Sequence, residues 1–96
     1  MIVLGRNKLH DYSLKHSDAR AALNSWYYEV SDAKCAWEDS HDIKKRYTSA
    51  SFLSDNQVIF NIKGNHHRLV VKVAYKQGTV VIEWIGTHAE YNKKKF

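Results

Sequence analysis

Apolar residues are spaced in two different ways along the chain. In the second half, segments 57–63, 67–76 and 79–86 are rich in Val, Ile, Phe, Tyr and Trp and alternate with polar positions, the period of half-buried strands. Gly64-Asn65 and Gln77-Gly78 separate them and supply the glycine that a tight hairpin turn uses. This half is expected to be a three-stranded antiparallel meander. In the first half, Ile2-Val3-Leu4 reads as a short strand ended by Gly5. Asn7 is placed to cap a helix over 8–16, and Ser17 or Asp18 to cap a second over 19–30. There Ala22, Trp26, Tyr27 and Val30 recur at helical spacing. Residues 32–55 are mixed; Trp37, Ile43, Tyr47, Phe52 and Leu53 are expected to pin them to the core, with a short helical turn over 39–46. Thr87 can cap a last turn over 88–92. A strand, two helices and then three strands is an α+β order.

Two-residue hairpin loops predict a register, and the register sorts side chains onto two faces. Lys63 falls opposite His66 and Asn61 opposite Arg68. On the other flank Lys76 falls opposite Thr79, Lys72 opposite Glu83 and Arg68 opposite Thr87. One face collects Val58, Phe60, Ile62, Leu69, Val71, Val73, Tyr75, Val80, Ile82 and Trp84, the expected core. The other collects Asn61, Lys63, His66, Arg68, Lys72, Lys76 and Glu83, with Val70 and Ala74 between them. His88 and Tyr91 follow the last strand and reach the Arg68 end of that face.

Composition sharpens this picture. Ninety-six residues make a single domain over 1–96. No apolar run approaches the ~20 residues of a membrane span, and Met1–Arg6 lacks the basic-then-apolar order of a secretory signal. The lone Cys35 cannot form an internal disulfide or a cysteine cage for zinc, so a cytoplasmic setting is expected. The net charge of +5 is uneven: residues 1–50 hold 8 Lys/Arg against 7 Asp/Glu, and residues 51–96 hold 7 against 3. A basic half suits a polyanionic partner, although such a charge also serves solubility alone.

The polar face carries the candidate chemistry. Arginine offers a rigid fork to phosphate oxygens and lysine a point charge. Cleaving RNA without a metal requires removal of the 2′-hydroxyl proton, stabilisation of charge on the phosphate and protonation of the leaving 5′-oxygen. Arg68, His88 and Tyr91 are the residue types for these tasks, with Asn61, Lys63, His66, Lys72, Lys76 and Lys93 as RNA contacts. A wet antiparallel face carries polar residues in any case, and His88 equally suits a structural turn, so the pattern alone leaves both readings open. Histidine spacing offers no metal site, and no cofactor fingerprint is present.

The run from Val58 to Asn65 followed by Arg68-Leu69-Val70-Val71 resembles the central hairpin of HigB-type toxins, RelE-like members of bacterial type II toxin–antitoxin systems. Gly86-Thr87-His88-Ala89-Glu90-Tyr91 is similar to their closing motif, and Trp26-Tyr27, Ala36-Trp37, Ile43-Lys44 and Arg46-Tyr47 also fit. The chain departs from the pattern at Lys63, Glu83 and Asn92; Lys72 opposite is expected to neutralise Glu83. The resemblance implies two helices packed on a small antiparallel sheet. It implies an mRNA interferase acting at the ribosome, with the main roles on Arg68 and His88 and a further one on Tyr91. It also implies a helix-turn-helix antitoxin of the HigA type and contact with operator DNA only through that complex. The alternative is a module of the same fold that binds RNA or protein without catalysis.

Overall fold

The computed structural model describes residues 1–94. Lys95, the end of the expected basic tail, lies outside the described residues. The elements run β1 (Ile2–Leu4), α1 (Arg6–Lys15), a 3-10 turn (Ser17–Ala19), α2 (Arg20–Ser31), α3 (Ser40–Arg46), β2 (Ser51–Phe52), β3 (Gln57–Ile62), β4 (His67–Ala74), β5 (Thr79–Thr87) and α4 (His88–Lys93). The five strands form one sheet in the order β1-β5-β4-β3-β2. The expected meander is its centre. The first strand lies parallel to β5, from Ile2 beside Thr79 to Leu4 beside Val81, so the sheet is mixed.

Helix α1 begins differently from the sequence expectation. Asn7 lies inside it, and the N-cap is Gly5 in the left-handed region at φ 94°. A Cβ at Gly5 would also press on Ile82 Cβ and the Ile82 carbonyl at 3.2 Å, so chain reversal and close approach to β5 both favour glycine. Neither Ser17 nor Asp18 caps α2, because both lie in the 3-10 turn that precedes it. The buried stripe of α2 is Leu23, Trp26 and Val30, while Ala22 and Tyr27 lie at its margin. The short helix in the mixed segment forms as expected, with the Asp39 side chain accepting from the Asp42 N–H.

The helices pack on one face of the sheet around Phe60, which is 1% exposed. Its ring is edge-on to Trp26 at 5.4 Å and Tyr47 at 5.1 Å, and stacks near Trp37 at 6.1 Å. Such aromatic pairs add about 0.5–1.5 kcal/mol each beyond the area they bury. The Glu29 carboxylate ties α2 to α3 by accepting from the Tyr47 hydroxyl and from Arg46 Nε. Burial, reinforced by that bond, pushes the Tyr47 hydroxyl well above its ordinary range. Phe52, expected to help pin the mixed segment, is 38% exposed, because β2 is a two-residue edge strand.

The first hairpin keeps the expected register, with Asn61 opposite Arg68 and Ile62 opposite His67. The second does not. Ala74 lies opposite Thr79 and Lys72 opposite Val81, so the connection is the four-residue turn 75–78 and Lys76 lies outside the strand. Further along, Val71 faces Ile82 but Val70 faces Trp84. Glu83 is the extra residue of a β-bulge, which reverses the alternation of everything after it. Trp84 therefore leaves the expected core face for the opposite one, and Ile85 packs against the core in its place.

Candidate functional site

The end of the sheet where β3 turns into β4 and β5 runs into α4 gathers the densest polar contacts. The turn closes with the His66 N–H on the Lys63 carbonyl at 3.2 Å. Lys63 sits in the left-handed region at φ 52°, which aims its ammonium to within 3.7 Å of Asp18. The turn places Asn65 above the start of β4. Arg68 Nη2 donates to Asn65 Oδ1 at 2.6 Å, and Nη1 donates to the carbonyls of Asn65 at 3.2 Å and His67 at 3.3 Å. Its second Nη2 contact is His88 Nδ1 at 3.1 Å.

His88 arrives there because α4 is well started. Thr87 accepts from the Glu90 N–H, and Glu90 accepts from the Thr87 N–H, a reciprocal capping box. Those bonds hold the Glu90 carboxyl below its ordinary range. The His88 N–H donates to the His66 carbonyl at 3.0 Å, fixing the helix start to the hairpin. His88 Nδ1 lies between a donor, Arg68, and an acceptor, the Asn65 carbonyl at 3.2 Å. It accepts from Arg68 when bare and donates to Asn65 when protonated. These two arrangements leave Nε2 with a proton or with a lone pair, respectively, in the neutral ring.

Arg68 has only neutral acceptors among its partners in the described residues. Its cation is positioned without being neutralised, and a phosphate would meet it through stronger, charge-assisted bonds. Tyr91, one helical turn after His88, has its ring 6.2 Å from Trp84. Trp84 in turn packs on Gly86, where a Cβ would come within 2.4 Å of the indole. Gly86 faces Arg68 across the ladder, so the bulge delivers an aromatic plane to the same end of the sheet.

The remaining expected contacts are dispersed. Asn61 stays beside Arg68, and His66 is exposed in the turn with its carbonyl on His88. Lys63 turns toward Asp18 instead of the open face. Lys72 is exposed on that face. Glu83 is not met by Lys72 as expected; its carboxylate accepts from Gln57 Nε2 at 2.8 Å, and Lys72 faces Val81. Lys93 is exposed at the end of α4. Lys76 lies at the opposite end, in the turn beyond Ala74, and the strand from Arg68 to Ala74 alone spans roughly 20 Å.

Two residues of this end carry more than alternation along the strands implies. Asn65 holds Arg68, and its signal in the sequence is the Gly64-Asn65 turn. Nothing in the sequence around His67 marks it as more than a strand residue. In fact its two ring nitrogens contact Tyr12 and Asp18. Among the described residues no group of three or more His, Cys, Asp or Glu side chains is placed to hold a metal, and no helix is long and apolar enough to cross a membrane. A family model for HigB toxin, the RelE-like toxic component of a toxin-antitoxin system, matches residues 19–94. No curated protein matches the chain.

Proposed function

Because the chain belongs to the HigB toxin family of RelE-like toxic components of toxin–antitoxin systems, we propose that it is an endoribonuclease cleaving messenger RNA at the ribosome. The observation that carries this reading is the 3.1 Å contact between Arg68 and His88, which sets an uncompensated cation beside a proton carrier. In the reaction the 2′-oxygen of one nucleotide attacks the adjacent phosphorus. The bond to the 5′-oxygen breaks, leaving a cyclic phosphate and a free 5′-hydroxyl. Arg68 stabilises the charge that builds on the phosphate oxygens.

His88 moves the protons. With Nδ1 donating to the Asn65 carbonyl, Nε2 takes the 2′-hydroxyl proton, and the imidazolium so formed passes that proton from Nε2 to the leaving 5′-oxygen, which returns the ring to its starting form. Tyr91 orients the phosphate. Asn61, His66 and Lys72 supply contacts near the site, with Lys63, Lys76 and Lys93 as outer contacts to the strand. The scheme routes no step through a metal or cofactor.

Membership of the family brings an antitoxin partner. We assign it to the helix-turn-helix HigA type, with operator DNA reached only through the complex and the toxin acting in the cytoplasm. The test is purified protein in a translating extract. Cleaved message with wild type, and intact message with folded Arg68→Ala, is the expected pair. Message that is retarded but intact with wild type would overturn the reading in favour of a binding module.

A further inference from the structure

We propose that Tyr12, His67 and Asp18 form a positioning network that sets the geometry of the Arg68–His88 pair, an inference that rests on the catalytic reading above. His67 is 3% exposed, yet both ring nitrogens are engaged. Nδ1 is 2.6 Å from the Tyr12 hydroxyl on α1, and Nε2 is 2.9 Å from Asp18 Oδ2 in the 3-10 turn. The His16 ring stacks on Tyr12 at 4.2 Å and meets His67 edge-on at 5.6 Å, closing one side of the network.

The chemistry selects one arrangement of protons. A carboxylate only accepts, so His67 Nε2 carries the proton that Asp18 receives. Nδ1 of the neutral ring is then bare and accepts from Tyr12. Burial pushes the Tyr12 hydroxyl up to about 12, keeping it a donor, while the bond from His67 holds the Asp18 carboxyl below its ordinary range. An aspartate and a tyrosine thus fix the tautomer and the ring orientation of a buried strand histidine, the role outer partners play for a working histidine elsewhere.

What they fix matters because of where His67 sits. Its carbonyl is one of the acceptors that hold Arg68. It pairs with Thr87, the cap from which His88 projects. The residue before it holds the His88 N–H. Asp18 also meets Lys63 from the other arm of the hairpin, so one carboxylate clamps both arms. The stretch 65–68 is the seat of the proposed site, and His67 is its inward anchor.

The network acts through position, so its loss should lower turnover more than substrate affinity. Misplacement of reacting groups by about 1 Å costs up to 10²-fold. The experiment combines cleavage kinetics on programmed ribosomes with the ring-nitrogen NMR signals of His88. Tyr12→Phe, which keeps the ring, and His67→Leu should each lower kcat about 10–100-fold with KM little changed, and should shift the His88 signals. His67→Gln, which offers a donor and an acceptor again, should restore both toward wild type. Folded Tyr12→Phe and His67→Leu proteins with wild-type His88 signals would overturn the proposal. If wild type itself leaves message intact, the catalytic reading fails while the His88 signals still decide whether the network positions that ring.

Discussion

Each end of the sheet carries a cation, Arg68 at one and Lys76 at the other, and the two ends are built differently. At the β3–β4 end, Arg68 is held by three carbonyl oxygens and a ring nitrogen, one of them the Asn65 side-chain amide. At the β4–β5 end, Lys76 stands in an open turn beside Tyr75, Gln77 and Gly78. Both offer positive charge to an anion. Only the first fixes the direction of its donors and sets an imidazole against them. Charge brings a polyanion near; chemistry on it needs donors whose geometry is settled before it arrives.

The contrast is broken most severely at its centre. Arg68→Ala should lower cleavage about 10²–10³-fold, the usual loss for one donor to a developing oxyanion, measured by single-turnover cleavage with folding checked by circular dichroism. His88→Ala should cost about 10²-fold and flatten the pH profile of cleavage. Tyr91→Phe should lose less, because the ring and its packing near Trp84 remain. Near wild-type cleavage by His88→Ala would reduce that residue to a turn former.

Gly86→Ala should destabilise the fold by about 1–3 kcal/mol as the new methyl displaces the Trp84 indole, read as a lower denaturation midpoint. The acid limb separates the two ends more gently. The Asp18 and Glu90 carboxyls are held below their ordinary range by His67 and by Thr87. The stability they contribute is therefore present above about pH 4 and is lost as pH falls through their lowered folded values. Tyr12 has the opposite sign: its contribution is complete below about pH 10 and is lost as pH rises through its folded value of about 12. On acidification, amide protection relative to the intrinsic exchange rate should fall in 65–68 and 87–90 before it does in 73–80. The smallest effect is expected of Lys76→Glu, which should change RNA affinity less than roughly twofold, whereas Lys72→Glu weakens it several-fold and reduces the salt slope.

Much of this was legible because turn chemistry and alternation constrain each other. Gly64-Asn65 set Asn61 against Arg68, and the short path from β5 to the Thr87 cap brought His88 to the same end. Capping preferences were less reliable: Gly5 displaced Asn7 as the cap because the chain reverses there against Ile82. The anchor at His67 could not be read locally. A histidine beginning a strand looks alike whether it meets water or a tyrosine and an aspartate from two other elements. Trp84 leaves the face that strict alternation predicts because Glu83 is a bulge residue, and a bulge residue bears no compositional mark.

That extra residue also changes what counts as a conservative edit. Elsewhere in a strand, removing one residue turns every later side chain to the wrong face. At Glu83 the reverse holds, since Val71 already faces Ile82 and Val70 already faces Trp84. A chain lacking Glu83 could close the ladder with each partner kept, Trp84 still over Gly86 and Thr87 still beside His67. It would give up the bonds that Glu83 accepts from Gln57 and from Lys8 Nζ, and the local twist. In this strand a deletion is the mild change and an insertion the disruptive one, so length variation should be tolerated here in one direction only.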